Sequence, residues 1–478
     1  MNRKELLLFI AVALLLLIEF IAFSDLPFFW DGISKANRAT WIYENNFSNL
    51  ILPTEYSSGH PPLWITSLAL FWKLFGQTLF SSRLLLLFVN LGVFYQILLL
   101  CKRNFSVSVP IFMFLLVCID PTLLAQTTSL NNDMMLLFFT LFSLNALQKN
   151  SWLLYAIALS GLLLTNLRGI YCFVALLLIH IIYNRRRLLT FNRNMIYAYC
   201  IAVFTFGIFL IYQYSELGWV LITKNENFSE HRKTTTFMLM IKNTIVYFKN
   251  LLDFGRIFLW VPLVLLLWKG IRQKKHSLDV PSQRVFIALL VFTIVFFFGF
   301  VPFSNPMGPR YLMVCYILSA ILLTNLLFTV SANRKRRRGV LIIVTVALVS
   351  GHFWIYPATI SQAWDSSFAH LGYFSKEEKM LKFLEKENIR PSEVGTHLRF
   401  NGRRVAYLSK DKGVSEIFPV VDLKTNKYVI LSNIENSTSD ETILELRNNW
   451  EEVKTYENLG VFVTLYKNPV IGDRIQNP

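Results

Sequence analysis

Charge is what this sequence has least of. Only 16% of its 478 residues are charged, where soluble globular chains carry about 25%. Acids are scarcest: 13 Asp and Glu stand in the first 360 residues. With 54% hydrophobic side chains, 42 Phe and repeated apolar runs near the ~20 residues that cross a bilayer, this excludes a soluble domain with a large core. It indicates a polytopic helical membrane protein. Cysteine is also sparse. Cys101, Cys118, Cys172, Cys200 and Cys315 all lie in or beside apolar segments, so no disulfide framework is expected in the loops or the tail. No CxxC and no His/Cys cluster has metal-ligand spacing. There is no glycine-rich phosphate loop, no internal repeat and no sustained heptad.

The charge that is present is strongly positive, +17 overall, which by itself would suggest a nucleic-acid partner. Its distribution says otherwise. Residues 361–478 hold 16 Lys and Arg against 17 Asp and Glu, whereas residues 1–360 hold 31 against 13. Those cations sit in short clusters between apolar runs, the positive-inside pattern of membrane topology, and nucleic-acid binding is disfavoured. The N-terminal MNRKE and its apolar run lack a small-residue cleavage site, which favours an uncleaved first helix over a signal peptide.

Taken in order, residues 6–23 form a first span that starts in the cytoplasm at Arg3 and Lys4. Residues 61–75 are apolar but short. If they spanned, Lys102 and Arg103 would face outside, so they are read as an interfacial or re-entrant helix. With that choice, spans at residues 84–100, 109–125, 134–147, 152–164, 170–183, 196–214, 251–268, 285–301, 309–330 and 340–356 alternate. Basic clusters such as Arg185–Arg187 and Arg334–Arg338 then fall inside. The expected fold is an all-α polytopic membrane protein of about 11 transmembrane helices, with interfacial helices in the first outer loop. Residues 1–360 form the membrane domain and residues 361–478 a small outer α/β domain. That tail reads as a helix at residues 376–388, short alternating runs (RRVAYL, KYVILS, GVFVTLY) and a second helix at residues 440–450. A support, acceptor-recognition or partner role is expected for it. The protein is placed in the plasma (inner) membrane.

Because acids are few, their positions inform. Glu19 alone is embedded in a span; the others gather in outer loops and at outer helix ends. An ion-coupled transporter would place ionisable groups near mid-membrane, so a site at the membrane–water boundary fits better. Asp31 follows PFFW and precedes a glycine. It reads either as an N-cap or as a general base or acceptor-orienting group. Asp133, in SLNNDMM, offers the same two readings. His60 precedes Pro61–Pro62 at a helix start, which suits a structural polar residue or an anion ligand. Arg83, Arg168, Arg232, Arg256 and Arg310 all fall at outer ends. Singly each reads as a snorkelling anchor, while several converging suggest a pocket for an anionic headgroup. Glu55, His231 and Arg232 are read as acceptor or loop contacts.

Taken together these residues resemble the GT-C membrane glycosyltransferases, in the branch of the protein O-mannosyltransferases and lipid A aminoarabinose transferases. The resemblance covers about residues 5–330. It rests on Asp31 after the first helix, HPPLW followed by KLFG and Arg83–Leu84, Asp133 after an Asn-rich turn, TNLRG at residues 165–169 and PRYL at residues 309–312. It implies transfer of a sugar, with inversion, from a polyprenyl-phosphate donor held among membrane lipids to an acceptor on the outer face. By the same resemblance Asp31 and Asp133 match catalytic acids, His60 matches a position near the donor phosphate, and Arg168, Arg310 and Arg83 are donor-phosphate candidates. The chain departs in having Gly32 where relatives often have Glu, and TNLRG for Thr-Lys-Gly. It has Gly59 where aminoarabinose transferases carry a metal-binding acid. No cofactor is firmly expected: the resemblance leaves a divalent metal open, and ligand spacing does not support one. The competing readings are an O-antigen ligase-like transferase and a lipid or sugar transporter or flippase.

Overall fold

The structure, a computed structural model, describes residues 2–105, 111–272, 278–331, 333–397 and 418–469. The expected strand at residues 403–408 (RRVAYL) lies outside the described residues.

The membrane part is built from α1 (Arg3–Phe23), α2 (Asp31–Glu44), α3 (Leu63–Phe75), α4 (Leu79–Asn104), α5 (Ile111–Cys118), α6 (Pro121–Thr127), α7 (Asp133–Lys149), α8 (Trp152–Thr165) and α9 (Arg168–Arg185). It continues through α10 (Asn194–Leu217), α11 (Glu226–Ser229), α12 (Phe237–Leu252), α13 (Ile257–Arg272), α14 (Val280–Phe300), α15 (Met313–Thr329) and α16 (Arg334–Gly351). Among the described residues six helices are long and apolar enough to cross a membrane. The number becomes seven if α12 and α13, bent by 90° at their junction, make one broken span. The eleven expected spans are thus not all found as separate long helices, and the reasons are local. The run at residues 109–125 is broken, because Asp120 accepts from the Thr122 and Leu123 amides and Pro121 starts α6. α8 has only 14 residues. The second part of the loop expected after α10 is the amphipathic α12, whose Phe237, Met238 and Ile245 are exposed. α15, led in by the turn Pro309–Leu312, is the most buried span, which puts it at the centre of the bundle.

An ion pair and a hydrogen bond settle how α1 and α4 run. Lys102 at the end of α4 pairs with Glu5 at the start of α1 at 2.9 Å. At the opposite ends, Arg83 donates to the Leu26 carbonyl at 2.8 Å. The two helices are antiparallel neighbours, so the end of α1 and the start of α4 lie at the same end of the bundle, and α3 between them has only 13 residues.

The tail carries α17 (Leu371–Lys386), α18 (Asp440–Asn449) and strands β1 (Val394–Thr396), β2 (Tyr428–Ser432), β3 (Glu451–Asn458) and β4 (Val461–Lys467). They form a four-stranded sheet in the order β1-β2-β4-β3, with β1–β2 parallel and the other pairs antiparallel. β1 and β3 had no clear sequence signal. One is three residues long, and the other, EEVKTYEN, is largely polar on both faces. The core on one side of the sheet is completed by Leu26, Phe29 and Trp30 from the first loop. The membrane part and the tail therefore share a packed surface.

Candidate active site

Asp31 opens α2 instead of capping it. The residue before the helix is Trp30, held at φ 42°, a left-handed backbone that costs a non-glycine residue of order 1–3 kcal/mol. Phe29 stacks on Trp30 at 4.8 Å and on His370 at 5.2 Å, which fixes the turn. The Asp31 carboxylate accepts from Arg310 Nη2 at 2.5 Å yet half of the side chain stays accessible. It is thus paired and still open to a ligand, and the space before it is termed the recess. Burial would raise its carboxyl, but Arg310, then Lys35 and Arg168, outweigh burial and hold it well below the ordinary carboxylate range.

Arg310, in the turn before α15, is the hub. It bonds Asp31 on one nitrogen and Asp365 on another, and its Nε lies 3.6 Å from Asp133. Asp133 is the first residue of α7 and takes Arg168 Nη1 at 2.6 Å. Arg168 also lies over the Tyr311 ring at 3.9 Å. Charge-assisted pairs of this kind orient both partners. Asp133 is therefore an ion-pair residue and not a helix cap.

Facing this cluster is a wall of cations. α2 places Lys35 and Arg38 four and seven residues after Asp31, on one helix face. Arg38 donates to the Tyr56 carbonyl and to Ser58 Oγ, and Arg232 donates to the carbonyls of Ser58 and Leu221. The loop before His60 is thus clamped by two arginines, and Asn225 and Thr223 hold the Glu55 and Ser57 carbonyls. Among the described residues Lys35, Arg38 and Arg232 form no ion pair, and Lys35 has no hydrogen bond. His60 Nδ1 is buried without a partner. Burial first, then Lys35, Arg232, Arg168 and Arg38, push the His60 ring well below its ordinary value, so it is neutral at pH 7. Burial and then Arg38 pull the Lys35 ammonium down to about 8, against the opposing pull of Asp31. Such a wall is suited to an anion with several acceptor oxygens.

The structure brings together Asp31, Asp133, Arg168 and Arg310 in one cluster and puts His60 and Arg232 on the facing wall. Arg83 is placed otherwise than expected. It is buried, and it donates to the carbonyls of Leu26, Pro27 and Thr128, so it ties the first loop to the segment after α6. The Glu55 side chain is exposed and only its carbonyl is engaged; His231 has no hydrogen bond among the described residues. Arg256 is fully buried in a forked pair with Asp120 at 2.6 and 2.7 Å. Lys35, Arg38 and Asp365 were not anticipated. The spacing Asp31–Lys35–Arg38 in a polar helix could have revealed the first two, whereas nothing near Asp365 in sequence marks it.

A metal site is not carried by these residues. No group of three or more His, Cys, Asp or Glu is placed to hold an ion among the described residues. Gly59 has φ +74°, and an added Cβ would stand 3.1 Å from the Leu221 carbonyl, so an acid is disfavoured there on backbone grounds.

No family model and no curated protein matches the sequence. Among solved structures the chain is similar to ArnT from Cupriavidus metallidurans. In its apo state ArnT gives a TM-score of 0.55 at 14% identity, covering 96% of this chain and 97% of that one. Bound to undecaprenyl phosphate it gives 0.54 at 13% identity, covering 97% and 98%. The likeness shows an ArnT-like polytopic fold along nearly the whole chain.

Proposed function

We propose that this protein is a membrane glycosyltransferase that moves a sugar, with inversion, from a polyprenyl-phosphate donor to an acceptor at the outer membrane surface. One observation carries the reading: an accessible carboxylate, Asp31, stands with Lys35, Arg38, Arg232 and His60, none of which forms an ion pair with an acid among the described residues. A phosphate among these groups would stand close to a base on the same helix. The ArnT structure that holds undecaprenyl phosphate has the same fold and supports the same donor class.

The chemistry follows from charge. The acceptor oxygen bonds to the anomeric carbon as the carbon–phosphate-oxygen bond breaks, and the electron pair leaves with the lipid phosphate. Positive character grows on the sugar, as in glycoside hydrolysis, and negative charge grows on the phosphate. Lys35, Arg38, Arg232 and the N–H of His60 are donors placed for that growing charge. Asp31 takes the acceptor proton. With its carboxyl below the usual range it is a weak base, and it acts late, once the acceptor bond to carbon is forming. Arg310 and Arg168 hold Asp31 and Asp133 in place. The isoprenoid stays in lipid while the headgroup reaches the recess.

Asp31→Asn should abolish transfer in membranes while the protein still inserts, with glycosylated product followed by mass spectrometry. Full activity of that variant would remove Asp31 from the reaction.

A further inference from the structure

Asp365 belongs to the tail, yet it ends inside the ion cluster. It sits in the turn Trp364–Ser366 after the last membrane helix and is buried. Its carbonyl accepts from Gln126 Nε2 at 2.8 Å, and the next carbonyl, of Ser366, accepts from Thr122 Oγ1 at 3.3 Å. Both donors are on α6, so the turn is strapped to the membrane part. A few residues on, His370 stacks on Phe29 beside the Asp31 turn. The carboxylate of Asp365 is thereby aimed at Arg310, whose other side holds Asp31.

The ion balance gives this carboxylate a consequence. Lys35, Arg38, Arg168, Arg232 and Arg310 supply five cations around the recess, and Asp31, Asp133 and Asp365 supply three anions. The excess is two positive charges. A sugar phosphodiester carries one negative charge, whereas a released phosphate monoester approaches two at neutral pH. The balance thus complements the leaving phosphate as its charge grows, which favours the chemical step. A third excess cation would hold the product too well.

We infer that Asp365 is a positioning residue, supplied by the C-terminal domain, that fixes Arg310 and limits how tightly the recess holds a lipid phosphate. Its removal tightens phosphate binding and slows turnover. This rests on the polyprenyl-phosphate reading above.

The test is to titrate radiolabelled undecaprenyl phosphate into the full-length protein in detergent, beside transfer assays. Asp365→Asn preserves shape, Asp365→Ser is a second charge-removing variant, and Asp365→Glu restores the charge. Both neutral variants should bind roughly threefold to thirtyfold more tightly at low salt, with a gain that shrinks as salt is added. Their donor KM and kcat should both fall, whereas Asp365→Glu should bind as wild type does. Loosened packing would weaken binding instead. Equal or weaker binding by neutral variants that melt like the wild type would overturn the inference alone. No binding by the wild-type protein would overturn it together with the proposed donor.

Discussion

Lys35 shows how a single side chain is tuned by its setting. Four residues after Asp31, it lies on the same helix face and beside Arg38, and burial together with that arginine brings its ammonium down to about 8. A depressed value means the charged form is lost at a pH where an ordinary lysine keeps it. Because kcat/KM reports ionisations of the free enzyme, kcat/KM for the lipid donor should fall as pH rises through about 8. Lys35→Arg should extend the plateau upward. A wild-type profile flat to pH 10 would place Lys35 away from the phosphate. At the same scale, Gly59 is explained by its backbone, since a positive φ against the Leu221 carbonyl suits glycine.

At the scale of the element, α6 is the short piece that carries the most consequence. It exists because Asp120 and Pro121 interrupt an apolar run, and it is held by Arg256, fully buried against Asp120, Thr122 and the Tyr316 ring. Removing one partner of such a pair leaves a buried charge uncompensated and costs about 3–5 kcal/mol. Asp120→Asn should therefore lower the apparent melting temperature in detergent. It should also lower transfer, since α6 holds the turn that bears Asp365. A variant that melts and turns over like the wild type would show that the pair does neither. α2 works differently. It carries Asp31, Lys35 and Arg38 within two turns, and its Ala36, Ala39 and Ile42 are packed into the membrane core, so the charged side chains stand on a fixed rod.

At the scale of the whole molecule, one ion cluster joins the first loop (Asp31), the start of α7 (Asp133), the turn before α15 (Arg310) and the tail (Asp365). Groups in direct contact lie on one side of the membrane, so these four segments share it. Lys102 and Glu5 mark the opposite side. Combined with the positive-inside rule, this predicts that a reporter fused after Arg103 reads cytoplasmic and one after Asp133 reads external. The reverse would invert the orientation while leaving the contacts intact.

The membrane class was legible in the sequence, and so was the gathering of Asp31, Asp133, Arg168 and Arg310 as a set of candidates, which the structure brings into one ion cluster. Apolar run length, cation clustering and scarcity of acids act locally and need no partner to be read. The charge at Lys102 and Arg103 also led to the non-crossing reading of residues 61–75, where the structure has a helix of 13 residues, short of the ~20 that span a bilayer. The tail's sheet was partly legible, in KYVILS and GVFVTLY, while polar β3 gave no alternation to follow. The partners of each charge were beyond reach. An arginine at a helix end looks the same whether it bonds carbonyls, as Arg83 does, a buried acid, as Arg256 does, or two acids with a third nearby, as Arg310 does. Ion pairing depends on distances between segments far apart in the chain. Only the tertiary structure could bring Asp365 to Arg310 and leave Lys35, Arg38 and Arg232 without an ion pair among the described residues.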